Sequence, residues 1–259
     1  MLNEQEYLQL VKEVNRLRNE IHLFNNDEIS EAALDDLKHK ITEYEKEHPD
    51  KISPNSSNYT IAGGILEKFE KYTHKKRMIS LTDVFNFEEL SDWENRWVDY
   101  AKKSEIFPTD SEFGLGLELS NDVPQTNKFS YVCEPKLDGL AISLHYDEGE
   151  LKVAATRGDG FTGELVTENI KQIKNIPKTI PYSGKIEVRG EIFLSKKDFD
   201  DLNRDITNGI KVGKMGQTGA GATFANSRNA ASGTIRQLDS RIVAERNLSF
   251  VAYNLIVEE

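Results

Sequence analysis

Apolar residues recur every three or four positions at Tyr7, Leu10, Val14, Leu17 and Ile21, and again at Leu34, Leu37, Ile41 and Tyr44. That period is helical and predicts two amphipathic helices packed as a hairpin. Asn25-Asn26-Asp27 supplies the turn between them and Ser30 the N-cap of the second. His48-Pro49 ends the second helix, because proline disfavours helical geometry in the residue before it. Residues 54–58, polar and turn-rich, read as a linker. A short extended piece is expected at 77–81 and a third helix over 86–103, with Leu90, Trp93, Trp97 and Tyr100 on its apolar stripe. Between 107 and 127 glycine, proline and acidic residues gather, as in an irregular surface loop.

The period then changes to two. Phe129, Tyr131 and Cys133 fall on every second position before Asp138-Gly139, and Leu140, Ile142, Leu144 and Tyr146 do so after it. Two strands with a bend at Asp138-Gly139 are predicted, Gly139 being free to take a positive φ or to let a ligand approach the backbone. Strands at 151–156 and 185–188 both run into Arg-Gly and a carboxylate, Arg157-Gly-Asp-Gly160 in one case and Arg189-Gly-Glu191 in the other. The chain is therefore expected to be α+β, a helical hairpin over 1–58 followed by a larger unit of antiparallel sheets with flanking helices over 59–259.

Composition narrows the function classes. With 259 residues, 37% hydrophobic and 30% charged, the chain can bury one sizeable core and a small second unit. No apolar run reaches the roughly 18 residues of a membrane span, and Met-Leu-Asn-Glu-Gln-Glu lacks the features of a signal peptide, so a cytoplasmic protein without a membrane partner is expected. A single cysteine, Cys133, excludes an internal disulfide and is expected to be a buried strand thiol. The five histidines show no metal-ligand spacing, and no metal ligands are assigned among them. The net charge of −11 means that contact with nucleic acid must come from a local patch or from a partner.

Candidate chemistry centres on Glu134-Pro-Lys-Leu-Asp-Gly139, where one lysine stands between two carboxylates. Two readings fit that stretch alone: a nucleophilic lysine, or a solvated lysine before a turn. Arginine and glutamate after strands suit a nucleotide, the guanidinium facing phosphate or sugar and the carboxylate accepting from a ribose hydroxyl or holding a metal ion; ordinary turns with solvated ion pairs fit as well. Residues 208–221 are glycine-rich, but Gly216-Gln-Thr-Gly-Ala-Gly221 lacks the Lys-Thr of a Walker loop and reads as a flexible insertion. The segment 224–238 sets Arg228 and Arg236 among small residues, as close approach to a phosphate backbone requires, or as two arginines on a solvated face.

Taken together the motifs are more specific than their parts. Glu134-x-Lys136-x-Asp138-Gly139, Thr156-Arg-Gly-Asp-Gly160, Glu187-Val-Arg-Gly-Glu191 and Asn226-x-Arg-Asn-Ala-Ala-x-Gly233, followed by Arg-Gln-Leu-Asp239, resemble in order the motifs of bacterial NAD-dependent DNA ligases. Met78-x-Ser-Leu81 and the helical hairpin extend the likeness over essentially the whole chain. The resemblance implies a helical domain that binds the nicotinamide mononucleotide half of NAD, followed by a nucleotidyltransferase (adenylation) domain. It makes Lys136 the residue that attacks the α-phosphorus of NAD and becomes AMP-lysine, with Mg²⁺ as cofactor. AMP then passes to the 5′-phosphate of nicked double-stranded DNA, and the 3′-hydroxyl displaces it. It also implies Ser80, Leu81 and Glu134 at the adenine, Arg157 and Glu191 at the ribose, Asp138 in nucleotide and nick-sealing steps, and Arg228 and Arg236 on the nick.

The sequence departs from the family in two places. Where the family grips nicotinamide mononucleotide with tyrosine, histidine, aspartate, tyrosine and aspartate, this chain has Ile21, His22, Glu31, Leu34 and Asp35. The Asp-Gly-Val-Val-x-Lys strand, the last lysine motif and the oligonucleotide-binding part also have no counterpart after Val257-Glu-Glu259. An adenylation domain lacking its C-terminal motifs is expected to be the first subunit of a split ligase, of the kind some tailed bacteriophages encode, completed by a second subunit that carries those parts. A catalytically silent nucleotide- or nick-binding paralogue and an ATP-dependent nucleotidyltransferase are the other expectations.

Overall fold

The computed structural model describes residues 2–21, 29–60, 69–103 and 131–257, apart from the side chains of Glu31, Met215 and 101–103. The expected turn at 25–27, the loop at 107–127 and Phe129 lie outside the described residues. The chain forms two compact units, one of Met1–Ser80 with Leu137–Glu259 and one of Leu81–Lys136.

The first unit opens with the helical hairpin, α1 (Glu4–Asn19) and α2 (Glu31–Glu47). Asn3 caps α1 reciprocally: its Oδ1 accepts from the Glu6 amide at 3.0 Å, and the Glu6 carboxylate accepts from the Asn3 amide at 2.8 Å. Ser30 caps α2 as expected, its Oγ accepting from Ala33 N. Tyr7, Val11, Val14, Leu17, Ile21, Leu34, Ile41 and Tyr44 form the shared core, and each such side chain contributes about 1.5–3 kcal/mol when fully buried. The Tyr7 and Tyr44 rings stack at 4.2 Å. After His48 the chain makes one 3₁₀ turn at Pro49–Lys51.

Residues 54–58, expected as a linker, instead pack on the hairpin. Ser56 and Ser57 are buried, Asn15 Nδ2 donates to the Asn55 carbonyl at 2.7 Å, and Asn58 Nδ2 donates to the buried Glu45 carboxylate at 2.7 Å. The polar composition marks side chains that satisfy the hairpin's buried polar groups.

The main sheet is antiparallel, ordered β3 (Glu150–Thr156), β2 (Leu140–Asp147), β5 (Ile186–Phe193), β6 (Ser249–Val257). A two-stranded ribbon pairs β1 (Lys71–Thr73) with β4 (Thr162–Glu164). Ile142, Leu144, Tyr146 and Ile192 lie in the main core with Leu202 and Ile206 of α5 (Lys196–Thr207), and Ile235 of α6 (Ser227–Ile235). Ile170, ending α4 (Thr167–Ile170), and Val243 of α7 (Ser240–Ala244) complete it. Alternate residues on β2 and β5 give the opposite face of the sheet a buried polar layer of Ser143, His145, Glu187 and Arg189.

Several sequence expectations change here. Residues 131–138 form no strand and Cys133 is exposed, so β2 begins only at Leu140 and pairs with β3 and β5 rather than with the preceding segment. A Cβ at Gly139 would lie 2.0 Å from the Ile192 carbonyl oxygen. Glycine is needed there for the close approach of β5, not for a left-handed φ. β5 runs on through Arg189-Gly-Glu191 instead of ending there, with a shift in register against β6 between Arg189 and Gly190.

Likewise the glycine-rich 208–221 is no loose insertion. Gly219 N donates to Ile206 O at 2.8 Å, and a Cβ on Gly213 would meet the Ala222 carbonyl at 2.0 Å. Arg246 holds the loop from beneath, donating to Val212 O and Thr234 Oγ1, both at 2.6 Å. Burial pushes its guanidinium down to about 10.

The second unit contains α3 (Phe87–Lys103), close to the predicted span. Asn86 Oδ1 accepts from Glu89 N at 2.9 Å, and the Tyr131 hydroxyl donates to Glu94 at 2.6 Å. No described helix is long and apolar enough to cross a membrane.

Candidate functional site

The first unit gathers five of the expected site residues. Arg157 follows β3, its amide donating to Ala141 O at 3.1 Å, and so stands at the mouth of the β2–β3 pair. The turn behind it is built to place it. Gly158 and Gly160 have positive φ, a Cβ on Gly158 would meet the Thr162 carbonyl at 1.8 Å, and Asp159 Oδ1 accepts from the amides of Phe161 and Thr162. Asp159 thus closes the turn through Oδ1.

Arg157 Nη1 donates to Ser80 Oγ at 3.1 Å, and Met78 N donates to Gly160 O at 2.9 Å. The segment 78–80 is thereby laid along the Arg157 turn, with Met78 buried beneath it. Burial, and next the neighbouring Arg228 guanidinium, hold Arg157 below the usual arginine range, with Glu191 and Tyr253 opposing. Two cations held against their mutual repulsion favour an anionic guest such as a phosphate.

Arg228 is the second residue of α6, whose N-cap is Asn226, accepting from Asn229 N at 2.7 Å. Its Nη1 lies 3.6 Å from Asp138 Oδ1. Asp138 is half-exposed and immediately precedes the Gly139 contact with β5. Glu191 sits on β5 opposite Ala141, on the sheet face shared with Arg189.

Arg236 is placed differently from the expectation of a direct DNA contact. It is buried, with Nε donating to Glu164 Oε2 at 2.8 Å and Nη1 to Ser232 Oγ at 2.6 Å. The small residues around it, Ala230, Ala231, Ser232 and Thr234, are buried too. They let α6 approach the sheet closely.

Lys136, Glu134 and Leu81 belong to the Leu81–Lys136 unit, where all three are exposed. In the hairpin, Ile21 and Leu34 are buried among the core side chains, and Asp35 pairs with Lys38 at 2.9 Å. His22 and the Glu31 side chain lie outside the described residues.

Tyr253 is a site residue that the sequence reading missed. It occupies the extra position of β6 at the register shift, and charges on Glu191, Arg157 and Arg189 act on its phenol. An aromatic in a nearly continuous apolar run carries no signal of its own; the register shift that sets it beside the arginines exists only once β5 and β6 are paired.

A mixed α+β domain that lines one end of a sheet with guanidinium and carboxylate groups has the architecture of the adenylation class of nucleotide-binding domains. Residues 116–259 match the family model described as NAD-dependent DNA ligase adenylation domain, and the chain belongs to that family. It is 38% identical over 255 residues to a DNA ligase of Helicobacter pylori, covering 98% of this chain and 33% of that protein. It is 39% identical over 250 residues to a DNA ligase of Mycoplasmopsis agalactiae, covering 96% and 32%. The chain spans about a third of the length of these relatives.

Proposed function

We propose that this chain is the nucleotide-loading part of an NAD-dependent DNA ligase, with Lys136 as the covalent site. The observation that carries this reading is the cluster of Arg157, Arg228, Asp138 and Glu191 within the family-matched residues, joined by Ser80 from the preceding segment and two residues along the chain from Lys136 at its nearest member. In the step envisaged, neutral Lys136 Nζ attacks the α-phosphorus of NAD. A P–N bond forms, the P–O bond to nicotinamide mononucleotide breaks, and the lysine proton leaves to solvent or the departing phosphate. Arg157 and Arg228 face the charge that grows on the phosphate, Ser80, Leu81 and Glu134 serve the adenine, and Glu191 the ribose.

The donor set fits an anionic nucleotide and its cation. Mg²⁺ is ordinarily held by substrate phosphates with one or two carboxylates, and the half-exposure of the Asp138 carboxylate supports reading it as one of these. When bound, the ion would supply charge neutralisation at the phosphates. Residues 1–58 serve as the nicotinamide mononucleotide domain through His22, Glu31 and Asp35. The 5′-phosphate of a nick then receives AMP, with Arg228 touching the DNA and Arg236 acting indirectly by fixing α6. The protein works in the cytoplasm.

We place nick sealing in a complex with a second ligase subunit that carries the oligonucleotide-binding part and the remaining nucleotidyltransferase motifs. Support comes from β6. Leu255 and Val257 pair with Val188 and Ile186, which rest on the main core, yet they are 61% and 53% exposed. The apolar face of the sheet thus continues past its cover, on a strand paired on one side only among the described residues. The test of the function itself is intact-protein mass spectrometry after incubation with NAD, ATP or neither. One AMP gained from NAD, mapped to Lys136 and absent in Lys136→Ala, is the expected result. Attachment at another lysine, or equal loading from ATP, overturns the reading.

A further inference from the structure

The buried polar layer of the sheet holds a cluster that the nucleotide site does not use. Residues directly opposite on antiparallel strands share a face, and His145 of β2 faces Glu187 of β5. His74, just after β1, lies over the same layer, and the ligand atoms of His74, His145 and Glu187 all lie within 4.8 Å of one another. The three residues are 7%, 9% and 1% exposed. Tyr72 covers both imidazoles, with ring centroids 5.6 Å from His74 and 5.0 Å from His145.

Each donor is oriented by a second group. His74 Nε2 lies 3.0 Å from the Thr156 carbonyl oxygen, which can only accept, so Nε2 carries the proton and Nδ1 the lone pair. That Nδ1 is buried and has no hydrogen-bond partner, a costly arrangement unless something occupies it. His145 Nε2 is 3.2 Å from Ser143 Oγ, and Glu187 Oε1 accepts from Arg189 Nε at 2.5 Å, which leaves Oε2. Arg189 is itself fixed by the carbonyls of Arg77 and Lys76 at 3.0 and 2.6 Å.

We propose that His74, His145 and Glu187 form a binding site for one divalent transition-metal ion of the zinc class, with a fourth position open to water. Two imidazoles and a carboxylate, each with an outer hydrogen-bond partner, are the donor set such ions take. Ligand atoms around a tetrahedral Zn²⁺ at about 2.0–2.1 Å sit roughly 3.3 Å apart. The cluster closes to that geometry by side-chain rotation of up to about 1.5 Å. The Arg189 charge keeps the affinity below that of an all-anionic site. The ion clips the segment after β1 to β2 and β5, and this segment runs on to Met78 and Ser80 beside Arg157. Neither spacing nor motif announces the site, since its ligands come from three separate segments of the chain.

The full chain, stripped with a chelator, is titrated with Co²⁺ and then with Zn²⁺. One equivalent of Co²⁺ should give the intense visible absorption of a four-coordinate ion, Zn²⁺ should displace it, and either metal should raise the melting temperature. His145→Leu should weaken binding at least about 100-fold, because loss of an outer partner alone costs 10–100-fold, while His39→Leu on the hairpin surface should leave it unchanged. Weak six-coordinate Co²⁺ alone, or tight binding retained in His145→Leu, overturns the proposal. Should His145→Leu not fold, ring-nitrogen NMR of the unaltered protein decides. Zn²⁺ must shift the His74 and His145 signals, and shifts confined to the other three histidines overturn it.

Discussion

Arg236 Nε meets the Glu164 carboxylate at 2.8 Å with both side chains inside the fold, so a residue that the motif assigns to DNA is part of the frame that holds α6 to β4. Thr156 Oγ1 donates to the same carboxylate at 3.2 Å. Removing one partner of a buried pair strands the other charge, so Arg236→Met should cost about 3–5 kcal/mol in denaturant unfolding. Glu164→Leu combined with Arg236→Met should recover most of that. Arg228→Ala, whose ion pair with Asp138 is looser at 3.6 Å and partly exposed, should cost under about 1 kcal/mol. A destabilisation by Arg228→Ala equal to that by Arg236→Met would contradict the assignment.

In the hairpin the Tyr7 hydroxyl donates to Glu45 at 2.7 Å and accepts from Ser53 N at 2.9 Å. Burial first, with the Glu45 carboxylate adding to it, pushes the phenol up to about 12 from an ordinary 10. The raised value means that the folded state holds the proton more tightly than the unfolded chain. The stabilisation is therefore complete below pH 10 and is lost as pH rises toward 12. Equilibrium unfolding should show a fall in stability across that window, and Tyr7→Phe should shallow it. At pH 7 the same substitution should cost about 1–3 kcal/mol, by leaving Glu45 and the Ser53 amide short of a partner.

Arg157 carries the nucleotide-site prediction. Its planar fork reaches Ser80 while facing Arg228 and Glu191, an arrangement that a lysine ammonium does not reproduce. Arg157→Lys should lower the rate of AMP attachment on the order of 10²-fold, with less than about 1 kcal/mol change in stability. Stopped reactions followed by intact mass, alongside urea unfolding of the same samples, separate the two effects. Loading at the unaltered rate would remove Arg157 from the site.

The hairpin was legible because its helical period is uninterrupted and its core closes on itself; even the unread cap at Asn3 has its signature in Glu6 three residues on. The strand expected at Tyr131 and Cys133 failed for the opposite reason. Alternation over three positions is satisfied equally by exposed coil, and only a neighbouring strand would have fixed it. Arg189-Gly-Glu191 reads as a strand end since glycine and charge mark turns, yet in the fold β5 continues and Arg189 pairs with Glu187 in a buried polar layer. Polar neighbours distant in the chain, Glu164 paired with Arg236 or His145 facing Glu187, depend on how the segments come together, which no local pattern encodes.

Ile21 and Leu34 stand where the family pattern carries tyrosines, and both are core residues of the hairpin. Restoring the two tyrosines therefore has an unfavourable packing side. Each should cost about 1–3 kcal/mol through overpacking, set against roughly 0.5–1.5 kcal/mol per stacked pair gained with nicotinamide. Ile21→Tyr with Leu34→Tyr should lower the unfolding midpoint while NAD remains the preferred donor. A double variant as stable as the parent would mean that these positions open toward the ligand.

The exposed end of β6 supplies the last prediction. If Leu255 and Val257 await the sheet of a second ligase subunit, polar substitution there should leave AMP loading by the chain itself within about twofold, since neither residue is among the groups gathered around Arg157. Leu255→Asp with Val257→Asp should instead abolish a one-to-one complex with that subunit, because two charges would be buried against apolar surface without partners. Nick sealing by the mixture should fall with complex formation, and the parent chain without its partner should seal nicked duplex at no detectable rate. Analytical ultracentrifugation reports the complex, gel-resolved ligation the sealing, and intact mass the loading. Complex formation and sealing unchanged by the double aspartate would move the interface away from β6, and sealing by the isolated chain would end the split-subunit proposal while leaving Lys136 as the covalent site.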